Sequence, residues 1–322
     1  KQKTAYEIRP RDWSSDVCSS DLMIHVRTSD NFGGFPFAQS ARASMASSGL
    51  HVGLQSTLWD RLTLSGQIRR DWIAGQEPTT WRAGAAFDAT EIATVFKAAY
   101  GTAFRAPSLF ERFGVDSFGY QGNPSLKAER AGGWDVGFAT TVPAFGRRDF
   151  LSFGTTYFNE QVDNLIVNVF SPVDTSINIG SAHLQGFETE LSLRPGPWLT
   201  LRLSHTYTEA LNASDGTRLL RRPQHAGSAM ATIRPMPELR IVPSVKYTGA
   251  FRDVLYDNGG NSLGRGVGQQ GLVANLSASY DLIPGLTLYA VGKNLAGSRF
   301  ESVNGFQIPG TAVLVGIRLS IG

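Results

Sequence analysis

From about residue 50 onward the connecting turns of this chain alternate in size, and the segments between them alternate apolar and polar residues. Leu50, Val52, Leu54 and Leu58 alternate with His51, Gly53, Gln55 and Thr57. Leu199, Leu201 and Leu203 oppose Thr200, Arg202 and Ser204; Val313, Val315, Ile317, Leu319 and Ile321 oppose Gly316, Arg318 and Ser320. A period of two places each set on one face of a β-strand. Short turns fall at residues 59–61, 88–90, 143–148, 194–197, 235–237 and 282–285. Long ones, which carry the Gly, Asn and Arg, fall at residues 71–78, 104–128, 211–222, 251–267 and 296–309. A soluble sandwich mixes loop lengths at both ends, whereas a membrane barrel gathers short turns on one rim and long loops on the other. The pattern predicts an all-β, antiparallel transmembrane β-barrel.

Composition alone does not decide between that barrel and a secreted sandwich. Hydrophobic residues make up 42% of the 322 and charged residues 18%. No run of ~18 apolar residues is present to cross a bilayer as a helix, but a barrel needs none, because only alternate residues face lipid. A net charge of +3 is too small to argue for nucleic acid. The single cysteine excludes an intrachain disulfide framework and any multi-cysteine metal site. Aromatics gather at strand ends, with Trp59, Phe87 and Trp198 near short turns and Trp72, Trp81 and Tyr207 near long loops. Interfacial girdles have that distribution.

The cost of charge in lipid fixes the faces. Arg or Lys facing lipid at mid-membrane costs about 2–4 kcal/mol. Arg69, Lys97, Arg202, Arg240, Lys246 and Arg318 are therefore expected in the lumen, with Asp135, Glu188, Glu190 and Asp281. Leu62, Leu64, Val136, Phe138, Leu201, Leu203, Val315 and Ile317 are expected on the lipid face. Such a lumen is either an open, wet pore or filled by a polar plug.

Enzyme chemistry has little to stand on. The chain contains no GxxxxGK[ST], HExxH or GxSxG motif, and its five histidines show no metal-ligand spacing. No catalytic residue, metal site or cofactor is assigned, and the expected class is not an enzyme. An outer-membrane hydrolase assembled from His205 and a neighbouring serine, and a soluble β-rich binding module, are the rival readings.

One stretch carries more information than the rest. From Tyr100 to Glu129 the sequence reads YGTAFRAPSLFERFGVDSFGYQGNPSLKAE. A strand ends where Pro107 cannot donate to a ladder, and roughly two dozen residues pass before alternation resumes, far beyond a hairpin loop. Phe104-Arg105-Ala106-Pro107, followed by Gly122-Asn123-Pro124-Ser125-Leu126-Lys127-Ala128-Glu129, resembles the paired signature of TonB-dependent outer-membrane receptors. The signature residues proper are Phe104, Arg105, Ala106 and Pro107, then Asn123, Pro124 and Leu126. The resemblance extends from about residue 42 to the end, through YFNEQVDNLIV (157–167), NIGSAHLQGFETE (178–190), residues 206–223, Lys293-Asn294-Leu295 and the closing FESVNGFQIPGTAVLVGIRLSIG.

That resemblance implies a 22-stranded barrel with a plugged lumen. About 13 or 14 strands are counted by periodicity, so residues 23–322 are expected to be the C-terminal portion of such a barrel, an open arc without plug. The family usually ends on an aromatic residue, whereas Ile321 is followed here by Gly322. Residues 1–22 show no strand alternation, and Arg11–Leu22 resembles translated sequencing-adapter DNA. They are expected to be a non-native or disordered tail that packs against nothing. The implied location is the outer membrane of a Gram-negative bacterium. The implied partners are membrane lipid, the TonB complex and a scarce small ligand, with no nucleic acid. A ferric siderophore is the expected ligand; cobalamin, haem, glycans and a passive porin are the alternatives. Haem is disfavoured because no histidine lies between Pro107 and Asn123, although Tyr120 could substitute as an iron ligand. Ligand contacts are expected from Arg112, Phe113, Phe118 and Tyr120, and from Arg252, Tyr256 and Arg265 in a later loop. The aromatics would stack and the arginines would hold an anionic chelate.

Overall fold

The computed structural model describes residues 24–25, 42–43, 45–73, 75–115, 119–169, 173–257 and 262–320. The expected tail at residues 1–22, the candidate Phe118 and the closing Ile321 lie outside the described residues. A single 13-stranded antiparallel sheet dominates, in which every strand pairs with its neighbours along the chain. Its strands are β1 (Ser47–Leu58), β2 (Leu62–Ile73), β3 (Thr79–Ala89), β4 (Thr94–Arg105), β5 (Glu129–Ala144), β6 (Arg147–Asp163) and β7 (Ser181–Gly196). The meander continues through β8 (Leu199–Asn212), β9 (His225–Met236), β10 (Leu239–Thr248), β11 (Gly271–Ile283), β12 (Leu286–Lys293) and β13 (Ala312–Leu319). β1 and β13 are the two ends of the sheet and do not pair with each other, so the arc is open, as expected.

Short turns and long loops sit on opposite rims, with two corrections. The connection expected at residues 71–78 is short: β2 runs to Ile73 and β3 starts at Thr79, with Asp71 N–H donating to Pro78 O at 3.0 Å. A long loop that the turn pattern missed spans residues 164–180, between β6 and β7, and holds a hairpin of Ile166–Val169 against Thr175–Asn178. Its residues Ile166–Val169 are strand, but outside the main sheet.

Two short turns carry bulky residues in the left-handed region. Trp59 (φ 50) and Asp60 (φ 55) join β1 to β2, and Phe145 (φ 51) with Gly146 (φ 75) joins β5 to β6. Left-handed geometry matches the twist of a hairpin but costs a residue with a Cβ about 1–2 kcal/mol. Trp59 is nonetheless 81% exposed and Phe145 87% exposed. An aromatic at such an apex is suited to a membrane–water interface, where its ring is stabilised by partition rather than by packing.

Pairing registers define the two faces. Leu64, Ala85, Ala98, Val136, Tyr157, Phe187 and Tyr207 lie opposite one another in successive strands from β2 to β8. Leu62, Phe87, Phe96 and Phe138 form a parallel row nearer the short turns. Leu201, Leu203, Val315 and Ile317 share this face through β8–β13. The other face pairs Ala86, Lys97, Gly137, Thr156, Glu188 and Thr206, and carries all ten charged residues expected in the lumen. The two sets of residues expected on opposite faces do lie on opposite faces of the sheet. Apolar side chains such as Leu54 at 74% and Val315 at 73% stay exposed over the whole apolar face, far beyond the patches tolerated on soluble monomers.

Buried apolar side chains are found elsewhere. Leu109, Tyr120, Leu126, Ala128, Val162, Ala182, Ala210, Phe251, Val254 and Phe300 lie in the long loops or at the strand ends that feed them. Among the described residues, the sheet has no second layer and the packed cores are at the long-loop rim.

Candidate functional site at the long-loop rim

The long loops assemble into two bodies. In the first, residues 106–128 fold against residues 164–180. Ser108 caps a one-turn helix, α1 (Leu109–Phe113), through a reciprocal capping box with Glu111. Gly122 lies against the helix end, where a Cβ would stand 2.5 Å from Phe113 N and 2.6 Å from the Arg112 carbonyl carbon. Only glycine allows that approach. Tyr120 stacks on Phe110 at 4.8 Å and shares a 2.7 Å hydrogen bond with Ser176 Oγ, which donates in turn to Asn168 Oδ1 at 2.9 Å. Asn123 Nδ2 donates to Ser176 O at 3.0 Å, and Asn178 Oδ1 accepts from Lys127 N at 2.8 Å.

The signature residues are the frame of this body. Arg105 grips Glu129 through Nε at 2.6 Å and Nη2 at 2.7 Å, and reaches Glu111 at 3.1 Å. The same Glu129 accepts Ile166 N–H at 2.8 Å, so one ion-pair network ties the ends of β4 and β5 to helix α1 and to the second loop. Pro107 and Leu126 are buried, Phe104, Ala106 and Asn123 half-buried, and Pro124 exposed with its carbonyl facing Arg112.

The second body joins residues 213–224, 249–270 and 294–311. Its centre is Asp253, 0% exposed, which accepts from Arg221 Nε at 2.9 Å, Val254 N at 2.9 Å and Asn304 N at 2.9 Å. Arg221 N also donates to Arg252 O at 2.7 Å, and Tyr256 N to Asn304 Oδ1 at 2.7 Å. Buried Asn294 closes the last loop by donating to Ser298 O and Pro309 O. Burial first, with Asp174 and Asp253, pushes the Tyr256 phenol up against the opposing pull of Arg221.

The candidate ligand contacts divide between the two bodies. Arg112 lies with its guanidinium 5.0 Å from the Phe113 ring centroid, one nitrogen 3.4 Å from Pro124 O and its Nε buried without a hydrogen-bond partner. Phe113 is half-buried beneath it. Tyr120, expected as a ligand contact, is 3% exposed with its hydroxyl engaged by Ser176, and packs between the two loops. Arg252 and Arg265 are exposed on the hairpin of Phe251–Tyr256 and Ser262–Gly268, and Tyr256 is half-buried at its end. Arg112, Arg252 and Arg265 make no ion pair with a described carboxylate. His205 does not meet a serine nucleophile: it lies on the apolar face beside His225, and Ser204 pairs with Ser228 on the other face.

Three anchors of these bodies were not among the expected site residues. The capping box of Ser108 and Glu111 was legible as S-x-x-E. Asp253 and Ser176 had no such signal, because Arg221, Asn304 and Tyr120, which they join across loops, lie 32–56 positions away. On the polar face a cavity of about 640 Å³ is lined by His51, Arg69, Arg82, Asp135, Glu160 and Glu188, with Arg82 on Asp135 at 2.8 Å.

A family model described as the β-barrel of TonB-dependent receptor-like proteins matches residues 11–295. Among solved structures, a point mutant of the ferric enterobactin receptor of Pseudomonas aeruginosa matches with a TM-score of 0.70 at 20% identity, over 92% of this chain and 48% of the receptor. The siderophore receptor PirA of Pseudomonas aeruginosa matches with a TM-score of 0.64 at 19% identity, over 86% and 47%. The copper transporter OprC gives a TM-score of 0.71 at 16% identity, over 88% and 48%. The chain spans about half the length of these structures, and at such identities the likeness concerns the fold.

Proposed function

The chain belongs to the TonB-dependent receptor family, and from that premise we propose that it forms part of an outer-membrane receptor that captures a ferric siderophore and passes it inward with energy delivered by TonB. Members of this family from Gram-negative bacteria are outer-membrane proteins and are transporters or receptors, not enzymes. The observation that carries the ligand class is the placement of Arg112, Arg252 and Arg265. All three stand on prepacked loops at one rim, none makes an ion pair with a described carboxylate although Arg265 helps to hold the Asp215 carboxyl down, and Arg112 holds a buried Nε in want of an acceptor. Guanidinium groups on a rigid, partly apolar surface suit an anionic, aromatic-rich chelate, which supplies planar acceptors and ring faces together. Prepacking also lowers the ordering cost of capture, which matters for a ligand present at low concentration.

The test is uptake of radiolabelled ferric siderophore by cells lacking their own receptors and given the full-length protein. Uptake that disappears with TonB supports the reading. Uptake indifferent to TonB points to a passive porin, and uptake of cobalamin or copper but not iron changes the ligand. Arg112→Ala and the double substitution Arg252→Ala/Arg265→Ala are expected to weaken binding about tenfold or more each, the loss of a charged hydrogen bond or two.

A further inference from the structure

The aromatic row of the apolar face does not end in aromatics. Trp81 meets Tyr100 at 5.3 Å, Trp134 meets Tyr157 at 5.3 Å, and Tyr157 meets Phe187 at 5.0 Å. The row continues through Tyr207 and then reaches two histidines, His225 opposite Tyr207 and His205 one step nearer the short turns. Above the row the same face turns polar, with Asn159, His183, Gln185 and Glu209 joined by hydrogen bonds. A Trp and Tyr belt bounded by a polar zone is how a membrane protein marks the headgroup level.

The two histidines face each other. Their rings stack at 22° with centroids 5.4 Å apart, and His205 Nε2 stands 3.2 Å from His225 Nδ1. Gly227, across from His205, contributes no side chain to intervene. Tyr207 backs His225 at 5.2 Å. Two imidazole nitrogens bound to one tetrahedral ion at 2.0–2.1 Å would lie about 3.3 Å apart. The observed separation is that bite distance.

We infer that His205 and His225 form a two-imidazole site for a divalent transition-metal ion, Zn²⁺ or Cu²⁺, at the headgroup level of the apolar face. Imidazole selects this class over Mg²⁺ and Ca²⁺, which require oxygen ligands. Without metal one of the two facing nitrogens carries the proton of the shared hydrogen bond. On binding, that proton moves to the outward nitrogen of the same ring, both facing lone pairs go to the ion, and no net proton is released from the neutral pair. Among the described residues no group of three His, Cys, Asp or Glu converges, so water or a lipid phosphate oxygen completes the shell. The site is independent of the loop bodies and of the siderophore reading.

The test titrates the full-length receptor in detergent micelles with Zn²⁺ by calorimetry and with Cu²⁺ by electron paramagnetic resonance. One ion per chain with nitrogen hyperfine structure in the Cu²⁺ spectrum is expected. His205→Asn and His225→Asn should each weaken binding by about tenfold or more, a loss that even a partner of a ligand produces when removed. His183→Asn, which removes a histidine elsewhere, should change nothing. Comparing the titration in micelles of a phosphate-free detergent with one in nanodiscs of zwitterionic phospholipid, whose surface carries no net charge, separates water from lipid phosphate as the remaining ligand: tighter binding in the nanodiscs names phosphate, equal binding names water. Unchanged binding in His205→Asn and His225→Asn, or a Cu²⁺ spectrum without nitrogen, would overturn the inference.

Discussion

Loops 106–128 and 164–180 are joined mainly by neutral groups, Tyr120, Ser176, Asn123 and Asn178, packed over Leu109 and Leu126. Loops 213–224, 249–270 and 294–311 converge instead on one buried carboxylate, Asp253. The first body divides its stability over many small contacts and a partly exposed ion-pair frame at Arg105. The second concentrates it in a single charge that three donors satisfy. A distributed body loosens locally when one contact is lost, whereas a concentrated one is released as a unit.

The largest expected effect follows from that contrast. Asp253→Ala leaves Val254 N, Asn304 N and Arg221 without their acceptor and should cost the second body about 3 kcal/mol. Hydrogen exchange should then rise together in residues 213–224, 249–270 and 294–311, with residues 106–128 unchanged. Faster exchange confined to residues 249–270 would show that Asp253 does not join the three loops.

Leu126→Ala is the matching cut in the first body. Removing a buried side chain there should cost about 2 kcal/mol, at the low end for core leucine because the surrounding loop can settle. Limited proteolysis is expected to open residues 106–128 only, leaving the loop of residues 164–180 protected. Tyr120→Phe keeps the ring stack on Phe110 and removes the hydroxyl's bonds to Ser176 Oγ and Glu111 O, for about 1 kcal/mol, since Ser176 retains Asn168. Siderophore affinity should survive that change; a large loss of affinity would return Tyr120 to the ligand surface. Smallest of all, Ser108→Ala removes one cap from α1, at about 1 kcal/mol or less, and should show as faster exchange at the Glu111 amide.

The sheet was legible because its signal is local. Alternation at Leu201 and Leu203 against Arg202 fixes a face without knowledge of any partner, and short turns such as Ile283-Pro284-Gly285 fix the rim. The loop of residues 71–78 was overestimated because Gly75 and Pro78 look like loop residues, although pairing runs to Ile73 and resumes at Thr79. The loop at residues 164–180 was overlooked for the opposite reason, since Ile166, Val167 and Val169 are good strand formers that pair with Thr175–Asn178 outside the sheet. The signature boxes marked the right loop, but not that Arg105 and Asn123 act on loop structure through Glu129 and Ser176. Asp253 looked like any hairpin aspartate. Its role depends on Arg221 and Asn304, which no local pattern connects to it.

The proposed membrane assignment turns on which face of the sheet meets lipid. Spin labels placed singly at residues 200–204 of the full-length protein in liposomes read this directly, through collision with oxygen in lipid and with a water-soluble nickel chelate. Labels at Leu201 and Leu203 are expected to collide with oxygen, and labels at Thr200, Arg202 and Ser204 with the chelate or with a polar filling that excludes both. Oxygen accessibility at Arg202 with chelate accessibility at Leu203 would contradict the register, the membrane assignment and the position of the long-loop rim together.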